Sequence, residues 1–323
     1  MKKLLTVCAA LLVLAIPAFA KTDALSLIPN DAVTVGVVRL IDMRSSPLSS
    51  ALFQQTDKVS SNGDAEMFLR EAGLQPTNDI DVVMVATTPQ TTLGHNANVL
   101  IAADGRFNVD RLIKALVSRG ATKKTSVYGD YYMLPIENNA DHNGAAAFPD
   151  GHLALVGSET SVVAALRARD AGGTSFTTAS GLARDLGRID PHATAWAIVD
   201  VARAQRFADG PHVSAKTNSG EALNSALKTM TTVALWATDS GDALKLGAFG
   251  VSRDPQTLQD VEDTLRGALS AMRLAVQDKQ PDLVTVLRRF NVSRSDDAVT
   301  ISGSVPAATF REYVNKAQQR EQR

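Results

Sequence analysis

Five histidines are the residues of this sequence best suited to metal binding or general acid–base catalysis. They are His95, His142, His152, His192 and His212, and most of them lie in stretches typical of turns or loops. A zinc protease would carry two histidines one helical turn apart, and the sequence contains no H-x-x-x-H pair. A zinc site would require distant histidines to meet in the fold, so solvated loop histidines are the simpler interpretation.

The segment Ser225–Lys228 matches the S-x-x-K pattern, in which a lysine one helical turn along helps to deprotonate a serine nucleophile. That chemistry also needs K-T-G and S-x-N elements downstream. The nearest counterpart of K-T-G, residues 216–220, lies upstream and has two residues inserted. An amphipathic helix with Leu223 and Leu227 turned inward explains the segment without catalysis. The sequence contains no nucleophile elbow, Walker loop or dinucleotide fingerprint.

Two pairs of carboxylates could bind calcium or share a proton: Asp79 with Asp81, and Asp296 with Asp297. Neither pair lies in a twelve-residue EF-type loop, and both come directly before predicted strands. Turn formation is therefore the simpler explanation of their position.

The aromatic residues could form a ligand-stacking face or belong to the core. Tyr128, Tyr131 and Tyr132 lie with Met133 in one predicted strand region. Core or edge packing is favoured there, and Trp196 and Trp236 are predicted to be core residues because they fall in apolar strands. The sequence thus nominates no catalytic, cofactor-binding or metal-binding residue and implies no cofactor, and the elements of the fold become the guide to function.

The first twenty residues have the three zones of a secretory signal peptide. Lys2 and Lys3 precede the apolar run Leu4–Ile16, and Ala18-Phe19-Ala20 is a small-x-small cleavage site. The apolar run is shorter than the roughly 20 residues of a membrane span. We therefore expect a mature chain that begins at Lys21, lacks a stable membrane span and is periplasmic or secreted.

Composition limits the chemistry of the mature chain. Its one cysteine, Cys8, lies inside the predicted signal peptide, which excludes disulfides and thiolate sites after cleavage. Lys and Arg number 33 against 34 Asp and Glu, so the loss of Lys2 and Lys3 leaves a net charge near −3. There is no basic excess for nucleic acid, and 45% hydrophobic with 21% charged residues is ordinary globular composition.

Hydrophobic periodicity alternates between strand and helix along the mature chain. Predicted strands are Val33–Leu40, Val82–Thr87, Val99–Ala103, Thr125–Leu134, Gly144–Phe148, Leu153–Gly157, Thr194–Val201, Thr232–Thr238, Leu244–Val251 and Val299–Gly303. Predicted helices include Ser46–Phe53, one capped by Asn108, one that begins at Asp254-Pro255 and carries an apolar stripe from Leu258 to Val276, and Asp282–Phe290. We expect the long stripe to pack on the sheet.

Two halves of the chain share an order of elements, with a boundary near Gly172. Residues 28–38 align with 189–199 at an offset of 161, Val82–Thr87 with Val233–Thr238 at 151, and residues 155–158 with 301–304 at 146. The prediction is an α+β fold by internal duplication: a signal peptide (1–20), a first half (21–172) and a second half (173–323). Each half would be an antiparallel or mixed sheet with helices packed on one face, forming a pseudo-dimer.

Segments of the first half also resemble exported bacterial proteins of unknown function with a duplicated α+β domain. The resemblance rests on Leu27–Leu40, on Arg44-Ser-Ser-Pro-Leu, on residues 105–120 and on residues 150–158. It implies the fold and export and carries no activity or functional residue.

The sequence therefore predicts an exported protein with a binding, scaffold or interaction role rather than a recognisable enzyme. Its partner would be an unknown small molecule or an envelope protein. One alternative is a carrier of an apolar ligand, which would need a large apolar cavity or groove between sheet and helices. The other is a hydrolase whose catalytic residues are scattered in sequence, which would need a Ser, a His and a carboxylate within hydrogen-bond reach.

Overall fold

The computed structural model describes residues 24–44, 46, 63–89, 97–135, 144–171, 176, 180–205, 225, 227–278 and 280–312. The predicted signal peptide, the predicted helix Ser46–Phe53 apart from Ser46, and the boundary at Gly172 lie outside the described residues, as do His95, His142 and His212.

Seven strands and five helices make up the described part of the chain up to Ala171. The strands are β1 Thr34–Arg39, β2 Ile80–Pro89, β3 Ala97–Gly105, β4 Thr122–Ser126, β5 Gly129–Leu134, β6 Gly144–Asp150 and β7 Leu153–Ser158. The helices are α1 Leu40–Arg44, α2 Gly63–Ala72, α3 Pro76–Asp79, α4 Val109–Ser118 and α5 Glu159–Ala171, after a 3-10 turn at Ala24–Leu27. As predicted, the Asn108 side chain caps α4, where its Oδ1 accepts from Arg111 N at 3.1 Å.

The rest of the described chain adds five strands and four helices. The strands are β8 Ala195–Asp200, β9 Thr232–Asp239, β10 Ala243–Val251, β11 Asn291–Arg294 and β12 Ala298–Pro306. The helices are α6 Ala183–Leu186, α7 Val201–Ala204, α8 Pro255–Val276 and α9 Pro281–Leu287, and residues 307–312 are also helical. The predicted start of α8 is confirmed, because Asp254 accepts from the backbone N–H groups of Gln256 and Thr257.

All twelve strands form one antiparallel sheet in the order β11-β12-β10-β9-β8-β1-β2-β3-β7-β6-β5-β4. The α+β prediction with an antiparallel sheet is thus confirmed. The sequence left open whether the two halves share a sheet, and the structure shows that they do. They join through β1 and β8, where Gly36 lies opposite Ala197. Among the described helices, none is long and apolar enough to cross a membrane.

Helices lie on both faces of the shared sheet, with α5 of the first half on one face and α8 of the second half on the other. Successive residues of a strand point to opposite faces. Leu155 of β7 packs with Val162 of α5 on the first face, in the larger core cluster. Tracing the cross-strand pairs from β7 to β12 shows that Val299 of β12 points to the side of the sheet opposite to Leu155. Val299 therefore lies on the second face, where it packs with Leu258 of α8.

Candidate functional site

An apolar cavity of about 240 Å³ lies between α8 and the second face of the sheet. Strands β9, β10 and β12 form its floor with Leu235, Ala248 and Ile301. Val261 and Leu265 of α8 form the roof, and Leu227 and Met230 close one end. No charged side chain is among the described residues that line it. The described lining therefore suits an apolar group.

The cavity exists because β10 presents two small residues to the second face. Alternation along the strand turns residues 248 and 250 to the same side, and these are Ala and Gly. A Cβ added at Gly250 would lie 3.1 Å from both Cγ and Sδ of Met230. The small residues therefore leave space between the sheet and α8. Met230, which closes one end of the cavity, packs closely against Gly250.

Polar contacts hold α8 along the flank that faces β11 and α9. Arg266 Nη2 donates to the carbonyl oxygen of Val292 at 2.9 Å, and Arg273 Nη2 donates to that of Leu287 at 3.0 Å. Glu262 joins the same flank, where its carboxylate accepts from Arg294 Nε at 2.9 Å. The helix is therefore fixed on the side away from the centre of the sheet.

The charges around α8 are neutralised locally. The hydrogen bond from Arg266 holds the pKa of the Glu262 carboxyl below its ordinary value, and the bond from Arg294 acts in the same direction against partial desolvation. Glu262 is thus an anion at neutral pH that anchors the helix, and its charge is engaged by two guanidinium groups rather than turned to the cavity.

Solvent reaches the site at Leu235. This side chain is 57% exposed although it lies in an interior strand of the sheet, whereas Met230, Leu258 and Val299 are buried. Sequence alternation around Ala234 and Trp236 separates Leu235 from the core face, but it does not indicate that the opposite face is open. The cavity therefore has a closed inner part and a mouth on the sheet surface.

The two histidines within the described residues serve turns. Nδ1 of His152 lies 3.1 Å from the carbonyl oxygen of Gly105, and His152 N donates to Asp150 Oδ1 at 2.8 Å. His192 N donates to Asp190 Oδ1 at 2.9 Å. Among the residues the structure describes, no group of three or more His, Cys, Asp or Glu side chains could hold a metal ion.

The acidic pairs have structural partners. Asp79 accepts from Gln75 N at 2.7 Å, and Asp81 accepts from Arg44 Nη1 at 2.6 Å. Asp297 accepts from Arg188 Nη2 at 2.5 Å, a contact that ties the β11–β12 turn to the chain after α6. These bonds account for three of the four carboxylates as parts of the fold.

The remaining sequence candidates also have defined positions. Ser225 and Lys228 are both exposed, and the Lys228 carbonyl accepts from Gln205 Nε2 at 3.0 Å. Tyr131 and Tyr132 are buried, so the core-packing interpretation of this region is confirmed for both. Trp196 and Trp236 pack partly buried against the larger core cluster, also as predicted.

Comparison with known proteins gives structural similarity without a family. No protein-family description and no curated protein matches the chain. Three crystal forms of a protein named TP0453 are similar in structure. Form III has 9% identity and a TM-score of 0.49, and the match covers 89% of this chain and 95% of that one. Form I has 8% identity and a TM-score of 0.46, and the match covers 91% of this chain and 97% of that one. Form IV has 10% identity and a TM-score of 0.47, and the match covers 88% of this chain and 93% of that one.

Proposed function

We propose that the protein is an exported carrier that binds an apolar ligand in the cavity beneath α8. The observation that carries this proposal is the cavity itself, roofed by Val261 and Leu265 over a floor of aliphatic side chains. Apolar cavities of comparable size bind hydrocarbons, as an enclosed one of about 150 Å³ does with benzene. Carriage of an apolar ligand was one of the two alternatives to the binding, scaffold or interaction role predicted from the sequence.

The size of the cavity indicates part of a ligand rather than a whole bulky one. Pockets for drug-sized molecules span roughly 300–1,000 Å³, and this one measures about 240 Å³. The mouth at Leu235 leaves room for a polar end outside. An acyl chain inserted from that side would satisfy both features, because its methylene groups are buried and its head group remains in water.

The hydrolase alternative has less support. The ring of His152 contacts a backbone carbonyl, and His192 belongs to a turn with Asp190. The described lining of the cavity offers no nucleophile or base.

We further propose that the two halves arose by duplication. The order β1-β2-β3-β7-β6 is repeated by β8-β9-β10-β12-β11. The offset of 161 is consistent with the pairing of β1 with β8. If each residue of the pair Thr34–Val199 is replaced by its counterpart in the other half, the result is Ala195 opposite Val38, which is also an observed pair. For β2 the alignment has to shift by one residue, because Thr87 lies opposite Thr34 and Ala237 opposite Ala195. The alignment of β7 with β12 also has to shift by one residue to agree with the strand pairing.

Titration with straight-chain carboxylates of about six to sixteen carbons tests the carrier function. Each added methylene should contribute about 0.8 kcal/mol, or roughly fourfold in affinity, until the cavity is filled. Calorimetry on the mature protein would measure the series. A rise followed by a plateau supports the proposal. Absence of binding, or an affinity independent of chain length, contradicts it.

A further inference from the structure

The floor of the cavity has a counterpart in the first half of the sheet. One cross-strand row on the second face runs Ile301, Ala248, Leu235, Ala197, Gly36, Val85, Ile101 and Val156. The row is symmetric about the junction of Ala197 with Gly36. If the row is rotated about this junction so that the first half superposes on the second, Val85 falls on Leu235, Ile101 on Ala248 and Val156 on Ile301.

The two ends of this row differ in what covers them. In the second half, α8 lies over Ala248 and Ile301 and leaves Leu235, at the mouth, exposed. In the first half, Val85, Ile101 and Val156 are 37–40% exposed, as is the neighbouring Val99 on the same face. We call these four side chains the open patch.

No helix within the described residues covers the open patch, because the helix after β3 is short and packs elsewhere. Helix α4 has 10 residues where α8, after β10, has 22. The buried side chains of α4, Leu112 and Ala115, pack with Ala72 of α2 rather than over the row. Within the described part of the chain, the surface equivalent to the floor beneath α8 therefore has no counterpart of that helix.

We propose that the open patch docks one amphipathic helix of a partner protein. The second half of the same chain shows what fits a surface of this strand order and register: a helix with aliphatic residues spaced as Leu258, Val261, Leu265 and Leu269 are. The patch spans three strands, or about 10 Å, which matches the 10–12 Å diameter of a helix. Helix-in-groove recognition uses the same spacing of anchors.

A small ligand fits the patch less well, because it needs a concave site that buries most of its surface and the patch is open on one side. Four aliphatic side chains exposed by 37–40% present on the order of 200 Å² of apolar surface. Each partner of a standard interface buries about 800 Å², so we expect one helix docked on this patch to bind weakly and reversibly.

A labelled peptide with the sequence of residues 254–277 is the probe, because it carries the stripe of α8. Fluorescence anisotropy with the full mature protein should show saturable binding. Ile101→Lys should weaken it at least tenfold, since a charge would then meet the apolar stripe. Val127→Lys is the matched control at an exposed turn position and should leave binding unchanged. A peptide with V261S, L265S and L269S should not bind.

Three results would overturn the proposal. They are absence of saturable peptide binding to the wild-type protein, binding that Ile101→Lys leaves intact, and a wild-type dimer that Ile101→Lys converts to a monomer. The last result would make a second copy the occupant. If Ile101→Lys fails to fold, Val156→Lys replaces it. Hydrogen exchange of the wild-type protein then provides an independent readout, because the peptide should protect β2, β3 and β7 and leave β9 and β10 unchanged.

Discussion

Filling the cavity should stabilise the fold and weaken ligand binding at the same time. Ala248→Ile adds three carbons to the floor beneath Val261 and Leu265. At about 0.8 kcal/mol per buried carbon this contributes ~2.4 kcal/mol, and the lost rotamer freedom of Ile offsets roughly 0.5–1 kcal/mol. Ile is also a better strand residue than Ala. We expect a net gain of about 1–2 kcal/mol in the free energy of unfolding, measured by urea denaturation.

The same substitution should cost a ligand the space of about three methylene groups. The loss of ~2.4 kcal/mol corresponds to roughly 50-fold in affinity for a long-chain carboxylate. Ala154→Ile is the matched control, because Ala154 lies on the same face in β7, far along the sheet from the cavity. It should change affinity by less than about twofold, within the usual independence of distant sites. A destabilised A248I protein that still binds the ligand would refute the reasoning, because the added carbons would then have met a filled space.

Three further predictions concern the frame around the site. Leu155→Ala removes a fully buried side chain and should cost about 2–5 kcal/mol in urea unfolding, whereas Val127→Ala at an 88% exposed position should stay within about 0.5 kcal/mol; similar values would contradict the described core. Asn108→Ala should cost about 1 kcal/mol through the lost cap of α4, and Asn108→Ser should restore most of it, which chemical denaturation would check. The pKa of Glu262 is lowered in the folded state, so its contribution to stability is present above the ordinary pKa and is lost as the pH falls through the folded value; Glu262→Gln should flatten the acid limb of stability against pH, and an unchanged limb would exclude the role of its two arginine partners.

Much of the sheet could be predicted because its strands are apolar and bounded by turn residues. The predicted strand Thr125–Leu134 is two strands, β4 and β5, because the chain turns at Val127-Tyr128 before Gly129, whose φ is 127°. Strand β11 was missed since it is four residues long and presents only Val292 to the core. The predicted helix Asp282–Phe290 correspondingly ends at Leu287.

The candidate site could not be predicted, because it depends on how far α8 stands above the sheet. The sequence shows the stripe of α8 and the two glycines of β10, Gly247 and Gly250. Both are closely packed, because a Cβ at Gly247 would meet the Trp236 ring and one at Gly250 would lie 3.1 Å from Cγ and Sδ of Met230. The space beneath α8 lies over Ala248. The pairing register across twelve strands decides which residues face a covered part of the sheet and which face an open part. Local sequence patterns do not contain this information.

Native mass spectrometry of the proposed mature protein, residues 21–323, purified gently from its own cells, tests the carrier proposal most directly. The account predicts a bound apolar molecule that dissociates on activation, is present in the wild-type protein and the Ala154→Ile control, and is absent from Ala248→Ile. A bare wild-type monomer, or a ligand that Ala248→Ile retains in full, would contradict it.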